Sequence, residues 1–167
     1  MISKEDYVTS KAGILLRYNG SFNLDKLYKK AKNWFNDFSY FFSEKQYKEK
    51  TKPEGNEIEI DFVGGRKIND YIKFIIEVKL FITEVRKLSK DTYVGNFKAN
   101  IVSKLDLDYD NKFQYNPFKK FLFFVYTNLI IKNKIEGVYE DKLYSEVLNF
   151  EDVLKEHLGL IWHKYIL

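Results

Sequence analysis

Three aspartates at alternate positions, Asp106, Asp108 and Asp110, are the residues whose spacing most resembles an ion site. A D-x-D-x-D run opens many calcium-binding loops, in which carboxylate oxygens hold the ion. Such a loop also needs glycine at its sixth position and glutamate at its twelfth, and this chain has Asn111 and Pro117 there. We therefore interpret the run as the exposed end of a strand, with a cation site as the less favoured alternative.

The two histidines, His157 and His163, are the next candidates for chemistry. With Asp152 and Glu156 they have residue types that bind zinc, but the spacing matches no metal motif such as H-E-x-x-H. On a helix, His157 points about 100° away from Glu156. A histidine near a helix C-terminus also has an ordinary role beside the last carbonyl groups. We predict no metal site here.

Motifs for nucleophilic or phosphate chemistry are missing from the sequence. It contains no G-x-S-x-G, Walker or G-x-G-x-x-G motif, and it has no cysteine. The nearest approach to a phosphate loop is residues 64–67, GGRK, but no helix follows them, so a bend in a hairpin explains the glycines better. The sequence indicates no catalytic residue, cofactor or metal, and it favours a non-catalytic protein without excluding an enzyme.

The element that must organise the fold is the run 71–86, in which apolar residues alternate strictly with other residues. A period of two with one apolar face predicts a long, half-buried antiparallel strand. Similar alternation at 57–66 and 96–109 predicts two neighbouring strands, so the three form a meander. Residues 7–19 and 40–52 predict two further strands. The inward residues of the central strand are Ile72, Phe74, Ile76, Val78, Leu80 and Ile82.

Three helices are predicted from helical spacing and capping residues. The first covers residues 24–38 after the N-cap Asn23, and the second begins at Asn116-Pro117. The second helix, 117–135, is apolar on nearly every side, which is typical of a helix that lies within a core or against a second surface as well as the sheet. The third covers about 139–158 and ends before Gly159. The order β-α-β-β-β-β-α-α predicts an α+β protein whose curved antiparallel sheet of about five strands is packed by these helices.

This order of elements resembles the helix-grip fold of START-like and polyketide-cyclase-like proteins, in which a curved sheet wraps a long C-terminal helix. The likeness is in element order, and no motif supports it. Residues 6–35 and 116–144 also resemble a group of small, uncharacterised archaeal α+β proteins. This resemblance implies no activity and supplies no catalytic residue.

Composition and charge limit the protein class and its partners. The 167 residues suit a single domain, 1–167, and the charged N-terminal residues are unlike a signal peptide, so we expect a cytoplasmic protein. The longest apolar stretch is about half of what a membrane span needs. The net charge is +4, carried mainly by lysine. A basic surface on the first helix predicts weak, non-specific nucleic-acid or ribosome association, or is simply a solvated face: Lys26, Lys29, Lys30 and Lys32.

The C-terminal tail, 160–167, is short and very apolar. It either folds back on its own sheet or forms a partner surface for a homo- or hetero-oligomer. We interpret the protein first as a non-catalytic interaction or structural module. A helix-grip-like carrier of an apolar small molecule, with a cavity between the sheet and helix 117–135, is the alternative. The tail residues expected to contact a partner are Leu160, Ile161, Trp162, Tyr165 and Ile166.

Overall fold

The protein is built on an open, antiparallel sheet of six strands, seen in a computed structural model that describes residues 4–160. The spatial order of the strands is β1–β6–β5–β4–β3, and β2 pairs with β6 on the same side as β1. The predicted α+β class and the antiparallel meander are therefore confirmed. The strands are β1 Glu5–Tyr7, β2 Ile14–Phe22, β3 Phe41–Lys50, β4 Asn56–Lys67, β5 Ile72–Lys87 and β6 Tyr93–Leu107.

The first predicted strand, 7–19, is in fact two short strands on one edge. Tyr7 of β1 pairs with Lys104, and Ile14 of β2 pairs with Ile101, so both strands lie along β6. A turn at Gly13 separates them, with the Gly13 N–H bonded to the Ser10 carbonyl at 2.8 Å. Gly13 has a φ of +81°, a conformation that glycine adopts without strain, so the turn can form at this position.

The core lies on one face of the sheet, as the alternation in β5 predicts. Its six inward residues are all buried, and in the register with β6 Val78 lies opposite Ile101 and Leu80 opposite Ala99. Each large apolar side chain removed from water contributes about 1.5–3 kcal/mol, so β5 and β6 form the centre of the core.

The helices are α1 Leu24–Asp37, α2 Pro117–Val125 and α3 Asp141–His157. As predicted, the side chains of Asn23 and Asn116 cap α1 and α2 by accepting from the N–H groups of Lys26 and Lys119. Gly159 follows α3 with a φ of +72°. The chain between α2 and α3 has π-helical segments at Tyr126–Ile130 and Ile135–Glu140, with a short helical turn at Lys132–Lys134 between them.

Gly64 was predicted to bend the chain, and this prediction is wrong. Gly64 lies inside β4, where it is paired on both sides: it is opposite Phe42 of β3 and Ile76 of β5. A Cβ atom at this position would stand only 2.1 Å from a ring carbon of Phe35 on α1. The glycine therefore allows α1 to pack closely against the sheet, a contact between residues that are distant in sequence.

Candidate functional site

An apolar helical segment at residues 115–130, which we call the arm, projects from the body of the protein. It comprises α2, the two residues before it and the π-helical segment after it. Within the arm only Thr127 is buried, and no residue of α2 is. The sequence predicted that this helix, apolar on nearly every side, lies within a core or against a second surface as well as the sheet; among residues 4–160 no element covers its outer side. The exposed large apolar residues are Tyr115, Phe118, Phe121, Leu122, Phe124, Tyr126, Leu129 and Ile130.

Tyr71, which precedes β5, anchors the arm to the body. Its hydroxyl group hydrogen-bonds to the hydroxyl group of Thr127. The Tyr71 ring also lies near the rings of Phe123 and Tyr126, with centroid distances of 6.1 and 5.2 Å. These contacts hold the inner side of the arm, so its outer side is exposed in a defined orientation.

A cleft of about 440 Å³ lies between the arm and the start of β5, near the position where the sequence predicted a cavity. The cleft is open to solvent. The buried face of the sheet, in contrast, is filled by large side chains, among them Phe74 and Phe97. The apolar lining of the cleft consists of Tyr71, Phe113, Leu122, Val125, Tyr126 and Ile130.

The charged side chains of the arm and its flanking residues are all lysines, although Asp70 of the body lines the cleft beside the arm. Residues 111–135 contain no carboxylate side chain and five lysines, Lys112, Lys119, Lys120, Lys132 and Lys134. Carboxylates border the segment, since Lys112 pairs with Asp110 at 3.9 Å and Lys132 with Glu136 at 3.6 Å. With both bordering residues included, five lysines and two carboxylates leave a net charge of +3.

The aspartate run has a structural role. Asp108 is buried, which corrects the expectation that all three carboxylates lie on an exposed face. Its carboxylate accepts from the Phe113 N–H at 3.0 Å and from the Gln114 side chain at 3.2 Å, so it closes the turn that leads to the arm. Within residues 4–160, no three His, Asp or Glu side chains are grouped so that they could hold a metal ion.

The lysines that were predicted to form a basic surface lie outside the arm, on α1. Lys26, Lys29, Lys30 and Lys32 are exposed on α1. Lys26 and Lys30 line a cleft together with the acidic residues Asp37 and Glu156, so the surface there is of mixed charge. Nucleic-acid binding by these lysines stays a prediction.

The C-terminal prediction lies mostly outside the described residues. Leu160 is exposed, whereas Ile161, Trp162, Tyr165 and Ile166 fall beyond the part of the chain that the structure describes, as does His163. His157 contacts the Val153 carbonyl oxygen through Nδ1 at 2.8 Å, the structural role expected near a helix C-terminus.

Sequence analysis missed a buried polar cluster between β4 and α3. The Arg66 guanidinium donates to both carboxylate oxygens of Glu146 at 2.8 Å and to the Phe38 carbonyl at 2.7 Å. The Tyr40 hydroxyl donates to the same carboxylate at 2.6 Å. Burial, followed by the bond to Glu146, raises the pKa of Tyr40. Because the carboxylate accepts three hydrogen bonds, from the Arg66 guanidinium and the Tyr40 hydroxyl, we assign the cluster a structural role in joining α3 to the sheet.

A pair of carboxyl groups, Asp6 and Glu140, meets where β1 approaches the start of α3. Burial raises the pKa of Glu140 to about 7, and the hydrogen bond to Asp6 and its negative charge add to this effect. The neighbouring cleft, lined in part by Thr9, Ser10 and Tyr144, is shallow and open. The pair therefore gives the fold a pH-sensitive contact.

No family model matches the chain, and no curated protein matches it significantly. Within the described residues, no helix has the length and apolar character needed to cross a membrane.

Proposed function

We propose that the protein is a non-catalytic interaction module and that the arm is its docking surface. The observation that supports this proposal is the exposure of eight large apolar side chains within residues 115–130. Single exposed apolar residues are common on proteins, but a contiguous group of this kind is typical of an interaction site.

The way in which the arm is held also supports the proposal. A helix that merely failed to pack would have no specific bond to the body, whereas the arm has the Tyr71–Thr127 bond and a capped N-terminus at Asn116. These interactions stabilise a conformation in which the apolar side chains point away from the core. Pre-organisation of this type lowers the cost of ordering a surface when it binds.

Dye binding and sedimentation test the proposal on the isolated full-length chain. Phe118→Ser with Phe121→Ser removes two aromatic rings that are 68% and 59% exposed, so folding should be unaffected. The matched control is Phe41→Ser with Leu88→Ser, which removes two exposed apolar side chains far from the arm. We expect the wild type and the control to bind 1-anilinonaphthalene-8-sulfonate or to self-associate, and the arm variant to do neither. A wild-type chain that stays monomeric and binds no dye would contradict the proposal.

The cleft beside the arm supports a second candidate function, a carrier of an apolar small molecule. Its volume of about 440 Å³ falls within the usual range for ligand sites, and its walls are mainly aromatic and aliphatic. Ile130→Trp, at the exposed edge of the cleft, should block a fluorescent fatty acid while leaving Phe118 and Phe121 available. Equal binding of the fatty acid by the wild type and this variant would contradict the carrier function.

A further inference from the structure

We propose that the partner of the arm is the surface of a membrane that contains anionic lipids. This inference rests on the proposed function of the arm as a docking surface. It specifies peripheral binding, because α2 has nine residues and no described helix can span a membrane. A helix that lies in the interface inserts its apolar side while lysines remain at the level of the head groups.

The arrangement of side chains around α2 fits a flat lipid surface. Successive helical residues are about 100° apart. Lys119 and Lys120 therefore lie just outside the apolar face of α2, about 60° and 40° from the residues at its two edges, Leu122 and Phe124. The apolar face itself spans an arc of about 160°, in which the half-buried Val125 lies among four exposed apolar side chains: Phe124, Phe121, Phe118 and Leu122.

The breadth of this apolar face favours a lipid surface over a groove on a protein. A helix that docks in a groove presents a narrow line of anchors at i, i+3, i+4 and i+7. Phe118, Phe121 and Leu122 have the first three of these spacings, but the exposed apolar surface of the arm is wider and longer than such a line. Phe124 widens it on α2, and it continues beyond the helix with Leu129 and Ile130 at one end and Tyr115 at the other. Aromatic and aliphatic residues opposite lysines are the composition typical of interfacial helices.

Charge argues for an anionic partner and against a second copy of the arm. Two arms packed against each other would bring together two copies of residues 111–135, each with five lysines and a net charge of +3 when the bordering Asp110 and Glu136 are included. Like charges at such short distances are destabilising. An anionic lipid surface instead attracts each lysine that comes close to it, and the attraction weakens as salt is added.

Vesicle co-sedimentation tests the inference with the full-length chain. The probes are phosphatidylcholine vesicles with and without phosphatidylserine. We expect binding only when phosphatidylserine is present, and we expect it to fall as the salt concentration rises. Lys119→Gln with Lys120→Gln should weaken binding about 30-fold, since each lysine near an anionic surface is worth about fivefold. Phe118→Ser with Phe121→Ser should weaken it on the order of 100-fold.

Two control variants make these losses specific to the arm. Lys48→Gln with Lys90→Gln makes the same change in charge at exposed positions elsewhere, and Phe41→Ser with Leu88→Ser makes the same kind of apolar change. Both controls should bind vesicles like the wild type. A control that loses as much binding as its matched arm variant would overturn the inference.

The outcomes separate the lipid partner from the docking function. If no vesicle binds but the chain self-associates and Phe118→Ser with Phe121→Ser abolishes this, the arm is a docking surface and the lipid inference is wrong. Equal binding to both kinds of vesicle would also overturn the anionic partner. If the arm variant and the wild type behave alike with vesicles, with dye and in sedimentation, both proposals are wrong.

Discussion

The hydroxyl groups of Tyr71 and Thr127 hydrogen-bond to each other where the chain enters β5 and the arm meets the body. Thr127 is fully buried, while the residues on the outer side of the arm are exposed. The bond therefore ties the arm to the sheet from its inner side. The exposed apolar surface of the arm and its attachment to the body are on opposite sides of one helical segment.

This bond can be tested with a double-mutant cycle. Thr127→Val keeps the shape of the side chain but leaves the Tyr71 hydroxyl without its partner, which we expect to cost about 1–3 kcal/mol. Adding Tyr71→Phe removes both polar groups, so the double variant should lose less than the sum of the two single losses. Hydrogen exchange of the arm amides measures these changes. Strictly additive losses would show that the two hydroxyl groups do not interact.

The close contact between Gly64 and Phe35 predicts a large effect from one methyl group. Gly64→Ala would place a Cβ atom 2.1 Å from the Phe35 ring, so we expect a loss of about 1–3 kcal/mol in urea unfolding. Gly137→Ala is the control, because no atom lies within 4 Å of the added methyl group. It should leave stability unchanged or increase it slightly. Equal effects of the two substitutions would contradict the packing of α1 against β4.

Removing one partner of the Arg66–Glu146 pair should lower the free energy of unfolding strongly, whereas replacing both partners with apolar residues should lower it much less. Glu146→Leu leaves the guanidinium, whose side chain is only 16% exposed, without its carboxylate, and we expect a loss of about 3–5 kcal/mol in urea unfolding. Adding Arg66→Met removes the unpaired charge and should restore much of that loss. If the double variant is less stable than Glu146→Leu alone, Arg66 stabilises the fold mainly through its stacking on Tyr40 at 4.5 Å.

The raised pKa of Glu140 predicts that stability depends on pH. An unfolded glutamate has a pKa of about 4.5, and the folded state raises the pKa of Glu140 to about 7. The folded chain thus binds more protons than the unfolded chain between these values, so this contribution is complete below about pH 4.5 and is lost as the pH rises to about 7. Glu140→Gln should flatten this part of the Tm–pH curve and raise Tm above pH 7. Asp91→Asn, an exposed carboxyl in the β5–β6 turn, should keep the wild-type slope.

Features that depend on neighbouring residues in the sequence were predictable. The alternation in β5 identifies its buried face, because successive strand residues point to opposite sides of the sheet. The caps at Asn23 and Asn116 were recognised because each bonds to an N–H group only three residues away.

Features that depend on tertiary contacts were not predictable from the sequence. Gly64 and Arg66 acquire their roles from Phe35 and Glu146, which lie on helices distant in sequence. For the arm, the sequence showed an apolar helix, and such a helix is usually buried. Its exposure follows from the absence of an element above it in the described part of the chain, a property of the whole fold.

Thiol labelling tests most directly whether the outer face of the arm is uncovered. The chain has no cysteine, so Phe121→Cys introduces a single thiol on that face. Leu88→Cys provides an exposed reference and Ile135→Cys a buried one. In a dilute, monomeric sample, the account predicts that the thiol at position 121 reacts as fast as that at position 88, and much faster than that at position 135. Protection at position 121 equal to that at position 135 would show that the chain covers its own arm, and would contradict the account.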